Sequence, residues 1–174
     1  MRLVVDLPDA RPLTASDFTA IAEPEGVRLE LWEGNLVVAP RAQIAWHGMV
    51  ASQLAGSAAV GGRVAQGVAV ILGSHDVAIP DLVVFHHPIA DLRRSAFSAD
   101  EVERVVEIVA PGSTERDNLT KPPKYAAAGI PEFWLVNEDP HDPTGAVVRQ
   151  HGLIPAGGYV LIRTIGWRWA EGRG

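Results

Sequence analysis

The sequence predicts an α/β or α+β fold: a mixed, twisted β-sheet flanked by a few helices. Three observations lead there. Residues 27–32 and 36–39 are two short runs, the first alternating in polarity, on either side of Glu33-Gly34-Asn35, which is a hairpin pattern. Residues 82–85 and 103–109 are nearly continuous in apolar side chains, as in central strands covered on both faces. Helical spacing or helix boundaries mark 14–22, 43–59 and a stretch that begins near Thr120. The chain has 174 residues and no repeat or linker, so one domain over 1–174 with a real core is expected.

Each element has its own reason. Over 14–22, Thr14 or Ser16 is a cap, Phe18 and Ile21 form the apolar stripe, and Glu23-Pro24-Glu25-Gly26 ends the helix. Over 43–59, Ile44, His47, Val50, Ala51, Leu54 and Ala58 share a broad face, and Gly61-Gly62 stops it. Strands at 63–66 and 68–72 are divided by Gly67. Residues 76–79 lead through Pro80 into the strand at 82–85, a position that suits a strand start or edge. Residues 86–99 have no clear period and read as a loop with a helical turn. Thr114 with Asp117 is a candidate capping box. Pro122 and Pro123 require the next helix to begin near Thr120, and Gly129 and Pro131 end it. Residues 132–137 form a strand, 139–145 a turn, and 146–151 with 159–164 a closing hairpin. Trp167 and Trp169 alternate with Arg168, and a homodimer interface is expected to cover them.

Hydrophobic content of 47% and charged content of 21% belong to a soluble globular protein. There is no apolar run of about 18 residues, so no membrane span is expected. The apolar patch near the N-terminus is too short for a signal peptide. The absence of cysteine excludes disulfides and thiolate metal sites and fits a cytoplasmic location. Fifteen Lys and Arg against twenty-one Asp and Glu give a net charge of −6. That argues against a broad basic grip on duplex nucleic acid, though not against a small site that reaches phosphate through a metal.

Two acids lie where acids are costly. Asp81 follows Pro80 and precedes Leu82-Val83-Val84-Phe85, and Glu107 sits inside Val105-Val106-Glu107-Ile108-Val109. A buried, unpaired carboxylate costs several kcal/mol, so each needs a partner, a metal or a shifted pKa. Hard carboxylate oxygens suit a divalent metal that activates water for phosphodiester hydrolysis, and a lysine beside them, here Lys121, orients that water or neutralises developing charge. Taken singly, each residue has an ordinary reading. Asp81 starts a turn, Glu107 pairs with Arg104, and Lys121 pairs with Asp117 at i, i+4. Glu30 has the opposite parity to Leu29 and Leu31, and is either an exposed strand acid or a site acid. His47 lies on an apolar helix face and is a weaker candidate. The remaining histidines have no zinc-like spacing. Pro131, Phe133 and Trp134 read as core.

The order of motifs is more specific than any one of them. Arg28-Leu29-Glu30-Leu31-Trp32-Glu33-Gly34, Ile79-Pro80-Asp81-Leu82-Val83-Val84, Val106-Glu107-Ile108-Val109-Ala110-Pro111-Gly112-Ser113-Thr114 and the stretch 117–134 together resemble the Uma-two family of restriction-endonuclease-like proteins, in the PD-(D/E)XK nuclease superfamily. The resemblance runs from about residue 13 to 159. It implies a restriction-endonuclease-like fold and cleavage of nucleic acid, DNA favoured, dependent on Mg²⁺ or Mn²⁺. It implies Asp81 and Glu107 as metal ligands, the Ile108 carbonyl as a third, and Glu30 as a further metal or water contact. The superfamily's lysine two positions after the Glu is replaced by Val109. The resemblance implies that the following helix supplies it through Lys121, with Lys124 the alternative. Asp117 is then expected to orient Lys121, and Tyr125 to pack with its hydroxyl bonded. A homo-oligomer, dimer favoured, is expected. The acidic charge and Val109 motivate a second expectation, a nuclease fold kept as a non-catalytic binding or assembly module. A small-molecule hydrolase using the same acids is a distant third.

Overall fold

A computed structural model describes residues 11–22, 25–40, 44–57, 63–109 and 116–168. The chain forms α1 (Ala15–Ala20), β1 (Val27–Trp32), β2 (Asn35–Pro40), α2 (Ala45–Ala55), β3 (Val64–Ala65), β4 (Ala69–Gly73), β5 (Asp76–Ala78), β6 (Leu82–Phe85) and β7 (Ala96–Ser98). A 3₁₀ turn (Ala99–Glu101) leads into β8 (Val102–Ile108). A π turn (Arg116–Thr120) leads into α3 (Lys121–Ala127), followed by β9 (Glu132–Asp139), β10 (Asp142–Leu153) and β11 (Tyr159–Trp167). The mixed sheet-and-helix class holds, and the strands divide into two sheets, β2-β1-β5-β4-β7 and β11-β10-β9-β8-β6-β3.

Strand parity decides where the site forms. β6 and β8 run antiparallel with Leu82 opposite Val106, and β8 runs parallel to β9 with Glu107 opposite Leu135. On one face Leu82, Val84, Val106 and Ile108 pack with Val50 and Leu54 of α2. On the other, Val83 and Val105 pack with Tyr125, Phe133 and residues of the second sheet. The central strands are thus covered on both sides, as their apolar runs require. Glu107 shares the parity of Val105 and faces α3. In β1, Leu29 and Leu31 pack with Phe18 of α1, while Arg28, Glu30 and Trp32 take the opposite face. The two sheets therefore bring Glu30 and Glu107 towards the same space beside α3.

Several boundaries differ from the sequence reading. Residues 86–99 contain β7, which pairs parallel with β4 through three residues; so short a strand leaves no readable period. β9 extends to Asp139 and β10 begins at Asp142, so the expected turn is tighter, with a register shift before Ala146. Helix α2 is described over 45–55, while Gln43, Ala58 and the Gly61-Gly62 stop lie outside the described residues, as do Glu23, Pro24, Thr114 and Trp169. Trp167 is half-buried and packs against the α2 cluster, so it serves this chain's own core. Thr14 caps α1 in a reciprocal box with Asp17.

The hairpin turn is sterically tight. Gly34 has φ +77°, and a Cβ there would stand 2.5 Å from Pro12 Cβ. The Leu13 N–H also donates to the Gly34 carbonyl at 2.9 Å. Gly34→Ala is therefore expected to lower stability by about 1–3 kcal/mol, from left-handed strain plus displaced packing. Urea titration reads this directly, and a change within experimental error would contradict it.

Candidate active site

Four stretches of the chain each place one to three polar groups in the space between the sheets. β1 contributes Arg28 and Glu30 from its inward face. The residue before β6 contributes Asp81, β8 contributes Glu107, and the π turn with α3 contributes Asp117, Lys121 and Tyr125. Apolar neighbours on both sides seal them, and Glu30, Glu107 and Lys121 are each 1% exposed.

Lys121 is the hub. Its Nζ lies 3.0 Å from Glu107 Oε1, 3.1 Å from Glu30 Oε1 and 3.3 Å from Asp117 Oδ1. The Tyr125 hydroxyl donates to the same Glu107 oxygen in a short hydrogen bond. Lys121, from α3, therefore places an ammonium beside Glu107, where position 109 carries valine. Lys124 points elsewhere, to Asp76 at 2.7 Å and Glu33 at 3.2 Å, so the alternative lysine is not part of the cluster.

Asp81 is held from three directions. Arg28 Nη2 donates to Oδ1 at 3.1 Å, the Ile108 amide donates to Oδ2 at 2.8 Å, and His47 Nε2 stands 3.2 Å from Oδ2. Ile108 therefore meets Asp81 through its N–H. The peptide ahead of Asp81 is also fastened to β1. Ile79 N–H donates to Glu30 Oε1 at 3.1 Å, and Arg28 Nη1 donates to the Ile79 carbonyl at 3.3 Å. Arg28 was not singled out by sequence reasoning. The available signal was its place two residues before Glu30 on an alternating strand, hence on the same face.

The electrostatics follow from four acids facing two permanent cations. Burial pushes the Glu107 carboxyl up to about 8; Lys121 opposes this, and the charges of Asp117, Asp81 and Glu30 add to it. Burial disfavours the Lys121 ammonium, but Glu107, Glu30 and Asp117 outweigh it and raise its pKa. Asp81 behaves in the opposite way to Glu107. Burial raises it, yet the His47 hydrogen bond, the Arg28 charge and the Ile108 amide together hold it below the usual carboxylate range. Burial and the Glu107 charge raise the Tyr125 phenol, which stays a donor. The result is an ionised Asp81 and, near neutral pH, a protonated Glu107 within one cluster.

The donor set suits a divalent cation in chemistry. With all acids ionised the cluster carries two surplus negative charges. Glu107 Oε2 is buried and accepts no hydrogen bond. Asp81 and Glu107 are the residues that would hold such an ion through hard oxygens. Among the described residues no group of three or more His, Asp or Glu forms a ready-made metal cage; the ammonium of Lys121 stands among three of the carboxylates instead.

Comparisons with known proteins agree with this architecture. The family described as "Uma2: Putative restriction endonuclease" matches residues 15–169. A solved structure from Anabaena variabilis ATCC 29413, described as "a putative nuclease belonging to DUF820", is similar with a TM-score of 0.60. It is 18% identical, and the match covers 91% of this chain and 86% of that one. The fold is therefore shared. No curated protein matches.

Proposed function

Because the chain belongs to the Uma2 family of restriction-endonuclease-like proteins, we propose that it is a metal-dependent endonuclease hydrolysing phosphodiester bonds of nucleic acid, DNA favoured. The observation that supports this best is the approach of the Lys121 ammonium to Glu107 at 3.0 Å. It restores, from α3, the acid-and-lysine pairing that position 109 lacks. Mg²⁺ or Mn²⁺ held by Asp81 and Glu107 would supply Lewis-acid polarisation of the phosphate and lower the pKa of a bound water. The chain's own groups do the rest. Arg28, His47 and the Ile108 amide keep Asp81 ionised and fixed in direction. Glu107 gives up its proton when positive charge arrives. Lys121 holds a permanent charge against the charge that develops on phosphate and, with Glu30, can orient the attacking water. The Arg28 side chain is 16% exposed, so the rim formed by Arg28 and Asp81 is where a phosphate would first meet the cluster.

The test is cleavage of single- and double-stranded DNA and RNA by purified protein with Mg²⁺ or Mn²⁺. Wild type is expected to cut, and Asp81→Asn to lose at least about a thousandfold, since it removes a ligand and leaves Arg28 facing a neutral amide. Equal cutting by both would show contamination and sink the reading. One observation favours a second reading, a non-catalytic module: the near-complete burial of Glu30, Glu107 and Lys121. That reading predicts no Mn²⁺ binding by calorimetry at neutral pH. Binding lost in Glu107→Ala would exclude it. Among the described residues no helix is long and apolar enough to cross a membrane.

A further inference from the structure

A cleft of about 580 Å³ lies beside the π turn and α3, lined by residues outside the carboxylate cluster. One wall is Leu119 and Pro123, from the π turn and α3. The other is the sheet face carrying Phe133, His151 and Tyr159, with Arg149 beside them. Register places these sheet residues together: Arg149 is opposite Leu135 and His151 is opposite Phe133 on the adjacent strand. His151 stacks on Phe133 with ring centroids 5.5 Å apart, and Tyr159 leans on the same ring at 5.6 Å. The Tyr159 hydroxyl is anchored to the Ile130 carbonyl at 2.8 Å, so this aromatic wall is rigid. The opposite wall is open to solvent, and Leu119 is 68% exposed.

Charge singles out Arg149. Nearly every basic side chain described has a carboxylate partner: Arg63 with Glu103, Arg94 with Glu101, Arg104 with Glu132, Lys124 with Asp76 and so on. Among the residues whose side chains are described, Arg149 and Arg163 are the exceptions. Arg163 pairs in register with Gln150, Arg149 with Thr164, so the two arginines point to opposite faces of the sheet. Arg149 is thus the cation left unneutralised at the cleft. A largely apolar cleft with an aromatic wall and one available guanidinium suits a nucleobase with its phosphate.

We propose that this cleft binds one nucleotide unit of a nucleic-acid strand, its base between the Leu119–Pro123 wall and the His151–Tyr159 wall, and its phosphate on Arg149. The identity of the ligand rests on the nuclease reading. The site itself uses none of the residues placed in the carboxylate cluster. It would hold the strand against α3 while Lys121, on the same helix, serves the cluster.

The experiment measures binding of a fluorescent single-stranded oligonucleotide in EDTA, where cleavage plays no part. Arg149→Ala and Leu119→Glu, both at exposed positions, are each expected to weaken binding about tenfold or more, and Arg163→Ala to change it less than about twofold. AMP is expected to compete for the oligonucleotide better than inorganic phosphate at equal concentration. Unchanged affinity in Arg149→Ala, an equal loss in Arg163→Ala, or AMP no better than phosphate would overturn the proposal. Because these readings need no metal, an inactive nuclease that still binds through Arg149 separates failure of the catalytic reading from failure of this one.

Discussion

Lys121→Met is expected to cost about 3–5 kcal/mol of stability at pH 8, the largest loss predicted for any single substitution in the cluster. The reason is what remains behind. Glu30, Glu107 and Asp117 all lie within 3.3 Å of Nζ and all are buried. Methionine fills much of the volume but brings no charge, so these carboxyls must ionise without compensation or take up protons. The loss should therefore shrink towards pH 5, where protonation is easier, and Lys121→Met with Glu107→Gln should recover at least about 1 kcal/mol of it. Lys124→Met supplies the contrast. Its partners Asp76 and Glu33 have side chains 26% and 79% exposed, and pairs open to solvent contribute about 1 kcal/mol or less. Urea titrations of the four proteins at two pH values make the comparison. A loss below about 1 kcal/mol for Lys121→Met at pH 8 would mean that the lysine is not the counter-charge of the cluster.

The second large effect concerns pH. Glu107 holds its proton up to about 8 in the folded chain, against 4.5 for an ordinary glutamic acid. Between those values the folded state binds a proton that the unfolded state has released. Stability must then fall as pH rises, by about 1.4 kcal/mol per pH unit from this group alone and by a few kcal/mol in all. The stabilising contribution is complete below about 4.5 and gone above about 8. The lowered acids oppose this only at lower pH: Asp81, Asp17, Glu101 and Asp142 contribute stability above their unfolded pKa values and lose it as pH falls through their folded ones. Raised Lys121 acts only above 10.5. The window from pH 5 to 8 therefore belongs largely to Glu107. Glu107→Gln keeps an acceptor for Tyr125 and Lys121 and should flatten the slope relative to wild type. In wild type Mn²⁺ should stabilise more at pH 8 than at pH 6, because an ion must displace the proton. Parallel slopes for wild type and Glu107→Gln would contradict the assignment of the proton to this residue.

Much of the fold and of the candidate site was legible because it is written in local pattern. The hairpin around Gly34, the two apolar central strands and the capped first helix all follow from spacing and turn chemistry. Asp81 and Glu107 stood out because burial makes unpaired carboxylates costly, and both are buried. Their linked motifs carried the family, which the match over 15–169 shows. β7 was illegible because three residues hold no period. Arg28 was missed because a basic residue beside a strand acid has an ordinary reading. Only the pairing of β1 with the chain leading to Asp81 shows that it reaches across to that carboxylate.

The sequence by itself determined which residue types stand at the strand and helix positions: two acids in apolar runs, an acid at odd parity in β1, and two lysines in α3 one turn apart. Tertiary structure decided which of them meet. Locally Lys121 and Lys124 differ only in the acid four residues before Lys121, yet one is enclosed by three carboxylates and the other bridges Asp76 and Glu33. The division into two sheets, with α3 against their shared face, settles that choice. Burial first, and the charges of the neighbouring acids after it, hold the Glu107 proton near neutral pH. Those consequences depend on which charges share a low-dielectric space, and that is a property of long-range packing rather than of spacing along the chain.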